Sequence, residues 1–109
     1  MAGIKFDQDK IRMDLLPMEA LVEVAKVLTF GAKKYGDRNW EQGIEFWRLR
    51  GAKMRHDAAS VLGEQVDPES GLLHKAHEAC SILMELTLLV RQLNRQQEDT
   101  CTGSVPKKS

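Results

Sequence analysis

Cysteine is scarce in this sequence, with only Cys80 and Cys101 among 109 residues. The pair has neither zinc-site spacing nor a CxxC arrangement, so a zinc knuckle and a dithiol redox motif drop out, and a reduced compartment is expected. No apolar run approaches the ~18 residues needed to cross a bilayer. The start, MAGIKFDQDKIR, lacks the apolar stretch of a secretory signal, which predicts a cytoplasmic protein. Net charge is missing as well, since 16 Lys+Arg balance 16 Asp+Glu. A nucleic-acid coat or a binder of anionic membranes would carry a basic excess, so neither partner is expected. Strand-like alternation of useful length and internal repeats are also lacking.

What remains is a soluble composition, 42% hydrophobic and 29% charged. The length suits one domain. Residues 1–16 form an N-terminal arm that mixes Lys5, Asp7, Asp9, Lys10, Arg12 and Asp14 with isolated apolar residues. A first helix is predicted over 17–34: Pro17 suits its first turn, Glu19 favours its positive end, and Leu21, Val24, Ala25, Leu28 and Ala32 recur at helical spacing before Gly36. The segment GDRNWEQG, 36–43, reads as a glycine-bounded loop. A second helix is predicted over 44–62, with an apolar stripe of Trp47, Met54, Ala58 and Val61 or Leu62, and a second stripe of Arg48, Ala52, Arg55 and Ala59. GEQVDPESG, 63–71, is a loop or short turn. A third helix, 70–97, carries a continuous seam of Ala76, Ala79, Leu83, Leu86, Val90 and Leu93, with Ser70 as its candidate cap. The remaining 98–109 lacks apolar content and is expected to be disordered. The class is all-α, with the helical domain spanning 17–97.

All three histidines fall in one acidic window: His56, Asp57, Glu64, Asp67, Glu69, His74, His77 and Glu78. Carboxylates suit hard cations such as Mg²⁺ and Mn²⁺, and imidazole widens the choice towards Mn²⁺, Zn²⁺ or proton transfer. Glu64 and Asp67 stand three apart, as do His74 and His77. A solvated charged loop beside two surface histidines explains the same letters. The His56-Asp57 pair raises the HD phosphohydrolases, but those need an upstream histidine and none precedes His56. A second cluster is basic and aromatic: Lys33, Lys34, Tyr35, Arg38, Asn39 and Trp40. It reads either as helix capping plus a core tryptophan, or as a nucleotide pocket with cations for phosphate and an aromatic for the base. Arg48 and Arg55, seven apart, extend the second reading towards a triphosphate.

The run KIRMDLLPMEALVEVAKVLTFGAKKYGDRNWEQGI, followed by RH and GEQVDPESGLLHKAHEAC, resembles the bacteriophage dATP/dGTP diphosphohydrolase family, also called MazZ-like, over about residues 3–93. The resemblance implies a branch of the MazG-type all-α NTP pyrophosphohydrolases. These pack helices of several subunits around carboxylate-bound Mg²⁺ or Mn²⁺ and release NMP and pyrophosphate from an NTP. It also implies a three-helix protomer in a homodimer or homotetramer, and a phage enzyme that depletes dATP and yields dGMP for 2-aminoadenine synthesis in the host cytoplasm. The family's usual residues are apolar at Asp57 and Asn at Ser81, so this chain departs there.

From the resemblance and the residues together, Glu64, Asp67 and His77 are expected to hold metal, with Glu23, and Glu19 beside it, as further candidates. His56 or His74 orients water or phosphate, with Glu64 also in a catalytic role. Lys33, Lys34, Arg48 and Arg55 neutralise a purine deoxynucleoside triphosphate, while Asn39 and Trp40 border its base. The competing expectation is a non-catalytic helical module that oligomerises or binds metal or nucleotide. Either way, a third helix of ~42 Å outruns two neighbours of ~27–29 Å. Its seam must then pack on a second copy unless the arm folds back over it.

Overall fold

The computed structural model describes residues 10–103, with side-chain surroundings to residue 98. Three helices organise it: α1, Met18–Tyr35, α2, Phe46–Val61, and α3, His74–Gly103. The all-α class is therefore observed. Pro17 lies at the N-cap of α1, Glu19 in its first turn and Lys33 and Lys34 in its last, which matches the helix dipole at both ends. Gly36 stops the helix with φ 103°, its N–H bonding to Ala32 O at 2.8 Å. A left-handed Arg38 and the 3-10 turn Asn39–Gln42 then lead into α2.

Between α2 and α3 the chain makes a small hairpin. Val66 and Leu73 form an isolated antiparallel bridge. It is supported by Asp67 N–H to Leu72 O and His74 N–H to Gln65 O, both 2.8 Å. The sequence predicted a loop or short turn here; a glycine with positive φ stands before the hairpin (Gly63, 106°) and within it (Gly71, 74°). This hairpin takes Ser70 out of α3, so α3 starts at His74 and Ser70 does not cap it. At the far end α3 continues to Gly103, past the expected 97, because no glycine or proline intervenes before Gly103. The disorder expected for 98–109 thus meets helix as far as Gly103, and 104–109 lie outside the described residues.

Both α1 and α2 pack on α3. Val24 and Val27 of α1 meet Ala76 and Cys80 of α3, with Leu28, Leu72 and Met84 around them. The expected inner stripe of α2 is on the wrong side: Trp47, Met54, Val61 and Leu62 are all exposed. The covered face is Leu49, Ala52, His56 and Ala59, so one leucine, two alanines and an imidazole turn inward while Trp47, Met54 and Val61 face out. Leu83, Leu86, Val90 and Leu93 of α3 are exposed too. Within the described arm, residues 10–16 are exposed throughout and cover none of this seam.

The protomer is open. Its radius of gyration is 18.4 Å, against about 13 Å for a compact domain of this length. Its accessible surface is 8481 Å², against about 6,100 Å² for a compact 12.3 kDa monomer. Among the described residues no helix is long and apolar enough to cross a membrane.

Candidate functional site

A cleft of about 1070 Å³ lies where α1, α2, α3 and the two connecting segments converge. Histidines from two helices meet in it. His56 comes from the covered face of α2, and His74 and His77 from the first turn of α3, three apart and on one face. The rings of His56 and His77 stack at 4.3 Å with 9° between planes. His56 Nδ1 and His74 Nδ1 stand 2.7 Å apart, and the other nitrogen of His74, Nε2, is 2.7 Å from Glu64 Oε1.

The hairpin supplies the carboxylate. Asp67 Oδ2 accepts the Ser70 N–H at 2.9 Å and lies 3.8 Å from His77 Nε2. Ser70 Oγ accepts the Leu72 N–H at 3.1 Å and shares a 2.7 Å hydrogen bond with His77 Nε2. One turn thus orients an acid and an imidazole together. Phe30 of α1 packs edge-on against His77 at 6.5 Å, and Lys34 Nζ lies 6.0 Å from the Phe30 ring and 5.2 Å from that of Tyr35. Lys34 also pairs with Glu69, tying α1 to the hairpin across the cleft.

Protonation follows from these surroundings. Burial, then the neighbouring histidines, holds His56 below the ordinary imidazole value; burial also lowers His77. Both shifts favour the neutral ring, which keeps one nitrogen lone pair to offer. Burial alone would raise Asp67, but the Ser70 N–H and hydroxyl and the nearby His77 and His56 bring it below the usual carboxylate range. The Glu69 carboxylate raises Lys34. His56, Asp67 and His74 each present one donor atom within 4.8 Å of the others, a set that can hold a metal ion.

Of the residues singled out in the sequence, Lys34, Asn39, Trp40, Arg55, His56, Asp67, His74 and His77 line this one cleft. Glu64 joins through its bond to His74. Three others do not line it: Lys33 is exposed at the end of α1, Glu23 pairs with Lys26 at 2.9 Å, and Arg48 lies 5.0 Å from the Trp47 ring, beside Glu45. Neither does Glu19. Of the two departures from the family pattern, Ser81 is buried in the cleft wall, whereas Asp57 is exposed and 3.5 Å from Lys75 Nζ. Ser70 and Phe30 were not read as site residues in the sequence, and Glu69, which stood in the acidic window without a role, pairs with Lys34. The Asp67-to-Ser70 spacing was the available signal for Ser70, since an Asp side chain readily accepts a backbone N–H a few residues on.

A family described as "dATP/dGTP diphosphohydrolase, N-terminal" matches residues 1–100 of the chain. A curated protein of Salmonella phage PMBT28, named dATP/dGTP diphosphohydrolase, is 42% identical over 89 residues, covering 82% of this chain. The matched segment is 30% of that relative's length, so the chain spans under a third of it. No solved structure matches the chain.

Proposed function

Because the chain belongs to the dATP/dGTP diphosphohydrolase family, we propose that it hydrolyses a purine deoxynucleoside triphosphate, dATP or dGTP, to the monophosphate and pyrophosphate, with a divalent metal. The observation that carries this reading is the convergence, in one cleft, of an imidazole–carboxylate donor set with a cationic and aromatic wall. His56, Asp67 and His74 are the residues that would hold the metal. Two imidazoles and one carboxylate fit Mn²⁺ better than Mg²⁺, which prefers oxygen ligands. The bound ion would make water more acidic and offset charge on phosphate.

The chain's own residues do the rest. Lys34 can exchange the Glu69 carboxylate for a phosphate oxygen, and Arg55 offers a planar fork to the same triphosphate. Asn39 and Trp40 border the base. Neutral His77, held by Ser70 and stacked on His56, is placed to take a proton or orient water. Glu23, Lys33 and Arg48 have no part in this reading within one protomer. The exposed seam of α3 supports a homodimer or homotetramer, and a phage setting supports a role in remodelling the nucleotide pool.

The test is a panel of dNTPs and NTPs with Mg²⁺ or Mn²⁺, scored for monophosphate against diphosphate product. Monophosphate with pyrophosphate, and dATP or dGTP ahead of the pyrimidines, is the expected outcome. A diphosphate product, or no turnover and no nucleotide-dependent rise in melting temperature beyond that given by Mn²⁺ alone, refutes it and favours a helical oligomerisation module.

A further inference from the structure

We propose that Glu64 acts as a positioning residue through His74: it sets the direction of a hydrogen-bond chain, Glu64–His74–His56, that leaves Nε2 of His56 as that ring's lone-pair atom. The inference deepens the metal-dependent reading above, which assigned Glu64 no step.

A carboxylate only accepts, so the 2.7 Å contact from Glu64 Oε1 to His74 Nε2 requires the proton on that nitrogen. In a neutral ring, Nδ1 of His74 is then an acceptor. His56 Nδ1 sits 2.7 Å from it. Two lone pairs cannot face each other at that distance, so His56 must donate from Nδ1. A neutral His56 protonated there carries its lone pair on Nε2.

This assignment runs against the intrinsic preference of imidazole, which favours the proton on Nε2. Something must impose it: Glu64 is the anion hydrogen-bonded into this chain, whereas Asp67 acts on His56 through its charge alone. The fold makes the imposition effective. His74 is 4% exposed and begins α3, so its ring has no water to choose instead, while the Glu64 side chain is 53% exposed and keeps its charge solvated. A ring nitrogen that binds a cation commonly relies on a carboxylate at the opposite nitrogen to fix its tautomer. Glu64 serves His74 in that way when metal is present, and serves His56 through His74 when it is absent.

The experiment is nitrogen-15 NMR of the imidazoles in the full chain, metal-free and mildly alkaline, for the wild type and Glu64→Ala. The expected wild-type spectrum has His56 protonated at Nδ1 and His74 at Nε2. In Glu64→Ala, His56 moves towards a mixture dominated by the Nε2–H form. Finding His56 protonated at Nε2 in the wild type, or unchanged at Nδ1 in the variant, overturns the proposal. Manganese titration supplies the second reading, with affinity expected to fall about 10–100-fold in Glu64→Ala. Unaltered signals from His77 and Ser70 report that the hairpin is intact. Should the wild type bind no manganese, the metal reading fails while the tautomer measurement still decides this one.

Discussion

Placing a charge at Leu86 should take the assembly apart while leaving the protomer folded. Leu86 is 52% exposed in the single chain, midway along the α3 seam. Full burial of a leucine is worth about 1.5–3 kcal/mol, and the protomer has already taken roughly half. Each copy therefore has about 1 kcal/mol left to gain, or about 2 kcal/mol for a symmetric pair that contributes the residue twice. Losing that alone weakens the dissociation constant about 30-fold. A glutamate adds the cost of desolvating a carboxylate against Leu83, Val90 and Leu93, so 30-fold is a lower bound. Within the protomer the same change gives up the half that is already covered, about 1 kcal/mol, which a folded helical chain can absorb. Sedimentation velocity with circular dichroism separates the two effects. The wild type should sediment at twice 12.3 kDa or more, and Leu86→Glu should move towards 12.3 kDa with its helical signal kept. A wild-type chain that is monomeric at high micromolar concentration, or a Leu86→Glu protein that assembles equally well, would refute the reasoning.

Asp67→Asn keeps an oxygen for the Ser70 N–H but removes the charge from a residue that would hold the metal; since losing an outer-shell partner alone costs about 10–100-fold in metal affinity, Mn²⁺ affinity by calorimetry should fall at least that far with helix content unchanged. Gly71→Ala forces an L side chain into φ 74° in the hairpin, costing about 1–2 kcal/mol, which thermal denaturation should register as a lower melting temperature together with weaker metal binding. In metal-free buffer, the depressed His56 and His77 mean that the unfolded chain binds more protons than the native one as the pH drops below about 6.5. Stability should therefore be full above that value and fall towards acid pH, by at most about 2.7 kcal/mol per pH unit for two protons; a melting temperature that rises on acidification would contradict the assignment. Burial pushes the Cys80 thiol up to about 11, so in a Cys101→Ser background alkylation at pH 8 should be negligible until denaturant is added.

How much of this was readable in the residues depends on which signal carried it. Helices appeared where spacing and breakers agreed: Pro17 and Gly36 bracket α1 to within a residue of its observed ends. The acidic window with all three histidines is where the structure brings His56, Asp67, His74 and His77 together. The face of α2 was misread because hydrophobic periodicity locates a helix's apolar side, and here that side is not turned inward. Trp47, Met54 and Val61 mark a surface outside the protomer, while Leu49, Ala52, His56 and Ala59 leave only a weak pattern on the side that packs. Glu23 and Arg48 carry the right charges at helical spacing, but spacing along one helix cannot say which neighbour that face meets. Ser70 was read as a cap because Ser before a helix usually is one, and two closing hydrogen bonds of the hairpin decided otherwise.

The outward apolar faces and the inward imidazoles are two consequences of one arrangement. Three rings and a carboxylate must approach within a few ångströms, and that requires α2 to lie close to α3. Ala52 and Ala59 permit the approach because they occupy little volume, and Cys80 and Ser81 do the same from α3. Small residues bury little apolar surface, so the wall that makes the site contributes little to holding it closed. Among the described residues the buried hydrophobic side chains are only Val24, Val27, Leu49, Ala76 and Cys80. The larger ones, from Trp47 and Met54 on α2 to Leu86 and Leu93 on α3, stabilise the fold only once something covers them. If a second copy covers them, assembly and site would be energetically coupled, although Leu83, Leu86, Val90 and Leu93 do not line the cleft. A copy packed on the α3 seam would stiffen the helix whose first turn carries His74 and His77. The coupling has a sign that can be measured: Leu86→Glu, remote from Asp67, should lower Mn²⁺ affinity as it dissociates the assembly, and raising the protein concentration should restore both together. Restored assembly without restored affinity would show that the site needs nothing from a second copy.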